Sequence, residues 1–357
     1  MAHRRELACL IAAGGTAGHV LPSLAVAEEL VRRGVRVTFA GPAERFGARL
    51  VGEAGFEFDA FDVSGLPRRP GVALARALVT GVAALRACGR ILTRRRPDVV
   101  LGAGGYVAGP MIAAAARRRI PAALMEADAH LGLANRLAAP LARRVFLAFP
   151  LAGRGGPKYR VTGRPIPERS RPPSQDEARA SFGLPADGSA LLIFGGSQGA
   201  RTLNELSADA WAESGPPVLH LCGERDFEAL RARVARADYR LFAWTDDFGA
   251  ALAAADLVIA RAGGSVWEVA AAGKAAILVP YPHATAGHQL ANADSFRRAG
   301  GALIVPDEQA HDVVPPLAEE LLADRARLTA MGAAMRAAAR PDAGPVVAEE
   351  LIRLAAA

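Results

Sequence analysis

Residues 6–41 read ELACLIAAGGTAGHVLPSLAVAEELVRRGVRVTFAG, and this stretch decides the fold. An aliphatic run ends in Gly14-Gly15, a helical pattern spans Pro22 to Arg33, and a second aliphatic run closes at Gly41. Strands covered by helices on both faces need continuous rather than alternating apolar runs, so the stretch reads as one parallel strand–helix–strand turn. The same rhythm returns in PDVVLGAGG (97–105), IPAALMEAD (120–128) and RRVFLAF (143–149). Proline and charge then crowd GRPIP (163–167) and RSRPPSQDE (169–177), the composition of a linker. Beyond it the pattern restarts with ALLIFGG (190–196), PPVLHLCG (216–223), YRLFAW (239–244), ADLVIARAGG (255–264) and AAILVPY (275–281). The expected architecture is therefore α/β, with two Rossmann-like domains. Residues 1–162 form the first, 163–170 the linker and 171–340 the second, and a closing helix at 341–357 could pack on either. A chain of 357 residues has room for two such cores.

Four of these strands end in a glycine pair before a helix, at Gly14-Gly15, Gly104-Gly105, Gly195-Gly196 and Gly263-Gly264. In a parallel sheet such loops all leave from the carboxyl edge, where helix N-termini point at bound anions. Two sheets presenting these edges to each other would enclose a cleft.

Composition narrows the classes. Hydrophobic residues make up 51% of the chain and charged ones 22%, which excludes wholesale disorder. Cys9, Cys88 and Cys222 are odd in number and far apart, so neither a disulfide framework nor a zinc ribbon is supported. No 18-residue apolar stretch free of charge predicts a spanning helix, and the first apolar run leads into Gly-Gly rather than a secretion-signal cleavage site. Residues 1–162 hold 24 Lys+Arg against 11 Asp+Glu, whereas residues 163–357 hold 19 against 25. The basic half implies an anionic surface or substrate. No helix-turn-helix, RNP or zinc-finger pattern points to nucleic acid.

Three motifs carry chemistry. In GGTAGHVLP (14–22) the glycines admit an anion to the backbone, Thr16 offers a hydroxyl and His19 stands at a helix entrance; a tight turn with a capping histidine reads equally well. The motif lacks GxGxxG and no acid ends the second strand, which disfavours a nicotinamide site. In GGSQGARTLNE (195–205), Ser197, Gln198 and the amides around Gly199 suit a diphosphate or simply cap a helix, and no GKS or GKT makes a Walker loop. In RAGGSVWEVAAAGKAAILVPYPHATAGHQLAN (261–292), Glu268 can accept both hydroxyls of a ribose or merely complement its helix dipole. His283, His288 and Gln289 fall in reach of sugar hydroxyls, and their spacing is weak as a metal signature.

Together GGTAGHVLPSLAVAEEL, GAGGYVAGP, GGSQGARTLN and the RAGG…E…PHATAGHQLAN block resemble the MurG-type GT-B glycosyltransferases of peptidoglycan synthesis, over nearly the whole chain. The resemblance implies transfer of N-acetylglucosamine from UDP-N-acetylglucosamine to the 4-hydroxyl of the muramyl sugar in undecaprenyl-diphosphate-linked lipid I, at the cytoplasmic face of the plasma membrane. It assigns the donor to the second domain. Ser197 and Gln198 would meet the diphosphate, Thr245 the uracil, Gly263, Gly264, Ser265 and Glu268 the nucleotide, and His288 and Gln289 the sugar. Thr16, Ala17, Asp128, Asn135 and Arg164 would complete the donor site, while Gly14, Gly15, Gly18, Gly104, Gly105 and Tyr106 would face the acceptor's diphosphate. The chain departs from the family pattern at Ala17, at Asp128 where an asparagine is common, at Gly163–Pro167 and by one residue before Glu268.

His19 is the candidate base, since an imidazole with a pKa near 6.5 accepts a proton at neutral pH. No cofactor and no metal are expected. Arg76, Arg86, Arg90 and Arg94 fall on one side of a helical pattern, as an anionic membrane surface or plain solvation would have it. The alternatives are a GT-B transferase with another lipid or small-molecule acceptor, an epimerase of UDP-N-acetylglucosamine, and a non-catalytic UDP-sugar-binding subunit.

Overall fold

A computed structural model describes residues 6–14, 17–43, 45–63, 72–196 and 198–357. The chain divides into two compact units, Met1–Pro167 with Pro341–Ala357, and Glu168–Arg340. In unit 1, β1 (Ala8–Ala12), α1 (Ala17–Arg32), β2 (Arg36–Gly41), α2 (Arg45–Glu53) and β3 (Glu57–Ala60) are followed by α3 (Val72–Arg95) and β4 (Val99–Gly102). Next come α4 (Gly105–Arg117), β5 (Ala122–Glu126), α5 (Leu133–Ala138), β6 (Arg144–Leu147) and β7 (Tyr159–Val161). The strand order is β3-β2-β1-β4-β5-β6-β7, and every pairing is parallel. The winding reverses between β1 and β4, with Cys9 opposite both Val37 and Val99.

Unit 2 runs α6 (Gln175–Phe182), β8 (Leu191–Phe194), α7 (Arg201–Trp211), β9 (Val218–Leu221), α8 (Phe227–Arg231), β10 (Tyr239–Phe242), α9 (Phe248–Ala254) and β11 (Leu257–Ala260). It ends with α10 (Val266–Ala271), β12 (Ala275–Leu278), α11 (His288–Arg298), β13 (Ala302–Ile304), α12 (Ala310–Ala323) and α13 (Arg325–Ala338). Its parallel sheet has the order β10-β9-β8-β11-β12-β13, which reverses between β8 and β11. The closing helix α14 (Ala343–Ala356) belongs to unit 1.

Alternation along a strand sends neighbours to opposite faces. Cys9 and Ile11 pack under α1, α2 and α14, whereas Leu10 and Ala12 pack under α3, α4 and α5. Strands β3 and β7, which no aliphatic run announces, are the two edge strands of the first sheet and have mixed exposure. Helix α1 begins at Ala17 rather than Pro22, so Pro22 lies inside it and cannot donate to the carbonyl one turn back, while the Ser23 hydroxyl donates to the His19 carbonyl at 2.6 Å.

Helix α14 docks through Val347, Ala348, Leu351 and Leu354. Its buried Glu350 accepts from Arg160 at 2.6 Å, Arg353 at 2.9 Å and Arg144 at 3.3 Å. Burying a valine and two leucines is worth on the order of 5–9 kcal/mol, against about 1 kcal/mol or less for an exposed ion pair. Burial therefore docks the helix, and the arginines fix its orientation. In chemical denaturation Leu351→Ala is expected to cost unit 1 about 2–5 kcal/mol and Arg353→Ala under about 1 kcal/mol. Equal losses would contradict this division.

Candidate active site

Each sheet presents its carboxyl edge where the winding reverses, the point at which doubly wound sheets bind ligands. The four glycine pairs follow β1 and β4 in unit 1 and β8 and β11 in unit 2, which are the strands flanking the two reversals.

In unit 1, His19 lies in the first turn of α1, partly buried. Gly104 has φ +98°, and a Cβ there would stand 2.8 Å from His19 Cδ2; Gly105 has φ +67° and sits against the same ring. This pair makes room for the imidazole, whatever it also does for an acceptor. Burial lowers the His19 pKa below its usual value, the Asp128 carboxylate opposes that shift, and the Arg164 guanidinium reinforces it. Arg164 is buried in the loop after β7.

The loop after β5 turns on Glu126, a buried carboxylate that accepts from the Gly132 amide at 2.9 Å, Asn135 Nδ2 at 3.0 Å and the Asp128 amide at 3.3 Å. Burial pushes its pKa up against those bonds. Asn135 is itself buried and also donates to the Met125 carbonyl at 3.0 Å, so its amide nitrogen is spent on holding this loop. Tyr106 is the second residue of α4, Gly18 the second of α1, and Gly14 is buried against Pro42. Gly15 and Thr16 lie outside the described residues, as does the side chain of Ala17.

In unit 2, Ser197 lies outside the described residues, and Gln198 is exposed in the turn before α7. Gly199 has φ +73°, and a Cβ there would fall 2.0 Å from the Cys222 carbonyl oxygen, so only glycine lets this loop nest against the one after β9. That second loop is tied down from below. Asn204 Nδ2 donates to the Cys222 carbonyl at 2.9 Å and to Asp226 at 2.8 Å, which turns its oxygen toward His220 Nε2 at 3.0 Å. His220 must then carry its proton on Nε2 and accept the Tyr239 hydroxyl at Nδ1, 2.8 Å away.

After β11, Gly263, Gly264 and Ser265 lead into α10, where buried Glu268 accepts from the Ser170 hydroxyl at 2.9 Å. Thr245 takes the Asp247 amide on its hydroxyl at 3.1 Å. At the start of α11, His288 Nδ1 lies 2.8 Å from the Thr285 carbonyl. The Gln289 carbonyl oxygen accepts the Tyr281 amide at 2.9 Å, which leaves the Gln289 NH2 group to donate elsewhere. Among the described residues no group of three or more His, Cys, Asp or Glu side chains is placed to hold a metal ion.

Residues 9–147 match the glycosyltransferase family 28 N-terminal domain, and residues 190–344 match the family's C-terminal domain. The chain belongs to glycosyltransferase family 28. This family 28 chain is 42% identical over 348 residues to the UDP-N-acetylglucosamine--N-acetylmuramyl-(pentapeptide) pyrophosphoryl-undecaprenol N-acetylglucosamine transferase of Halorhodospira halophila, covering 95% of the chain and 96% of that protein. It is 36% identical to the enzyme of that name from Halothermothrix orenii, over 92% of the chain and 94% of its relative. The crystal structure of Acinetobacter baumannii MurG superposes with a TM-score of 0.74 at 30% identity, covering 98% of this chain and 99% of that one.

The family 28 chain also holds site residues that the motifs did not single out. The Arg261 guanidinium donates to the Val279 carbonyl at 3.0 Å, to Asp307 and to the Thr202 hydroxyl at 3.3 Å, and it lies 5.6 Å from the Tyr281 ring centre. One side chain thus joins the loops that follow β11, β12 and β13 to the first turn of α7. Its only sequence signal is its place two residues before Gly263. His220 could have been noticed as the lone polar residue in the VLHL strand.

Two measurements test this electrostatics. In NMR titration His19 should titrate below 6.5, and Asp128→Asn, by removing the opposing carboxylate, should lower it further; an unchanged or raised value would exclude the coupling. His220, held near 3 by burial, stays neutral in the folded chain while the unfolded chain takes up a proton below 6.5, so stability is lost as pH falls between those values. At about 1.4 kcal/mol per pH unit, the wild-type chain should lose about 2–3 kcal/mol more than His220→Gln between pH 6.5 and 4.5. Parallel denaturation curves would refute the assignment.

Proposed function

We infer that this chain is the UDP-N-acetylglucosamine-dependent hexosyltransferase that converts undecaprenyl-diphosphate-linked lipid I into lipid II. The observation that carries the reading is the likeness, over nearly the whole length of both chains, to transferases bearing that name. The acceptor's 4-hydroxyl oxygen forms the new bond to the anomeric carbon of N-acetylglucosamine, the bond from that carbon to UDP breaks, and the configuration inverts. His19 takes the hydroxyl proton, and its lowered pKa keeps it neutral and ready to do so at cellular pH.

Unit 2 supplies the donor groups. The backbone amides around Gly199, with Gln198 and Ser197, stabilise the diphosphate charge at the start of α7. Glu268, pre-set by Ser170, accepts the ribose hydroxyls, Thr245 lies by the uracil, and the free NH2 of Gln289 donates to the sugar beside His288. In unit 1, Gly14, Gly18 and Tyr106 line the edge that receives the acceptor's diphosphate, and Asp128 and Arg164 tune His19. Asn135 acts through the Glu126 loop.

The same reading places the chain peripherally on the cytoplasmic face of the plasma membrane. Among the described residues no helix is long and apolar enough to cross a membrane. Between α3 and α4 lies a groove of about 750 Å³ lined by Arg86, Arg90, Arg94, Arg117 and Arg118. Arg94 is shared with the Asp59 carboxylate at 2.7 Å, and the Arg76 side chain lies outside the described residues. The remaining guanidiniums suit the phosphates of anionic lipid.

Purified chain, UDP-N-acetylglucosamine and a short-chain lipid I analogue should yield the disaccharide product with chelator present. His19→Ala should cut kcat by about 10²–10⁴-fold, and Gln289→Ala should chiefly raise KM for the donor. Tight UDP binding without product would overturn the reading, and loss of product to chelator would overturn its metal-free chemistry.

A further inference from the structure

The segment that follows β12 in unit 2 carries an aromatic ring without a part in the donor contacts above. Tyr281 is 47% exposed, whereas residues 275–280 just before it are buried. Its backbone is pinned. The Tyr281 amide donates to the Gln289 side-chain oxygen at 2.9 Å, its carbonyl accepts the Ala284 amide at 3.1 Å, and the Ala284 carbonyl accepts the Gly287 amide at 2.9 Å. Ala286 and Gly287 then take left-handed backbone, with φ +53° and +63°, before α11 starts at His288. An alanine in that region is unfavourable, and such a turn persists only where surrounding contacts hold it.

The ring is fixed as well as the backbone. The Arg261 guanidinium lies over it, 5.6 Å from the ring centre, and the His283 ring meets it at 82° with centres 5.5 Å apart. Arg261 is anchored in turn on the Val279 carbonyl, Asp307 and the Thr202 hydroxyl. A surface tyrosine held by two neighbours, with nearly half of its area still open, is pre-set for a flat partner.

The chemistry beside it identifies that partner. Gln289 reaches the same point with its oxygen taken by Tyr281 and its NH2 group left to donate. A pyranose ring offers both matching surfaces: hydroxyls around its rim, which an amide NH2 can donate to, and a face of C–H bonds, which packs on the electron-rich face of an aromatic ring. The uracil position at Thr245 follows β10, four strand positions from β12, so Tyr281 meets the sugar end of the donor rather than its base.

We propose that Tyr281 is a further donor-site residue, whose ring packs against the C–H face of the transferred N-acetylglucosamine while Gln289 donates to its rim. The proposal rests on the donor reading of unit 2 given above and deepens it.

Calorimetric titration of the purified chain with UDP and with UDP-N-acetylglucosamine, without acceptor, separates the sugar from the nucleotide. Tyr281→Ala should raise Kd for UDP-N-acetylglucosamine about three- to tenfold, the worth of one aromatic contact, and leave Kd for UDP unchanged. Tyr281→Phe should restore the wild-type ratio of the two, because the ring and not the hydroxyl makes the contact. Leu290→Ala, at the exposed residue after Gln289, should change neither. In turnover, Tyr281→Ala should raise KM for the donor and leave KM for a short-chain lipid I analogue as it was.

An unchanged ratio of the two Kd values in Tyr281→Ala would overturn the proposal. So would equal weakening of both ligands at wild-type Tm, which would make the ring a support for Arg261, and so would a rise confined to KM for the acceptor. These three outcomes leave the donor reading of unit 2 standing. A wild-type chain that binds neither ligand would remove that reading and the proposal with it.

Discussion

Where each sheet reverses its winding, the two flanking strands send their following helices to opposite faces, and the loops between strand and helix are left at the edge. The backbone there must turn sharply within van der Waals contact of its neighbours. At Gly199 a Cβ would overlap the Cys222 carbonyl, and at Gly104 it would enter the His19 ring. Both positions have positive φ, so side chains are excluded twice over, by strain and by space. That exclusion leaves an unobstructed helix start at each edge, a feature that favours a bound anion.

The polar groups beneath the loops hold them in place. Glu126 draws in three donors from its own loop, and Arg261 joins three strand ends to the start of α7. The chain from Tyr239 through His220 to Asn204 fixes one histidine tautomer and thereby one position of the Cys222 carbonyl. In the chain from Tyr239 to Asn204 each polar member finds its partner, which makes it a rigid support. At His19 the balance differs: desolvation and Arg164 favour the neutral ring, while Asp128 restores some basicity. The role of general base proposed for His19 needs this compromise, since a permanently charged imidazole could accept no proton.

Unit 1 is also divided across its sheet. One face is closed by α1, α2 and α14, with the last helix oriented by three arginines on Glu350. The other carries α3, α4 and α5 and an arginine-lined groove.

The sequence by itself determined the two parallel α/β units, the four glycine junctions and the family. These follow from unbroken aliphatic runs and from glycines that no other residue can replace, both of which are local signals. Edge strands β3 and β7 were invisible because a strand with one neighbour needs no such run. The start of α1 was misplaced by five residues because Pro22 reads as a first-turn residue when it is an interior one. Only the tertiary structure decided that α14 belongs to unit 1, that Gly104-Gly105 makes room for His19, that Asn135 spends its amide nitrogen on Glu126 and that Arg261 is a hub. Each of these depends on which residues distant in the chain come within a few ångströms, and that is set by strand order and packing rather than by any local pattern.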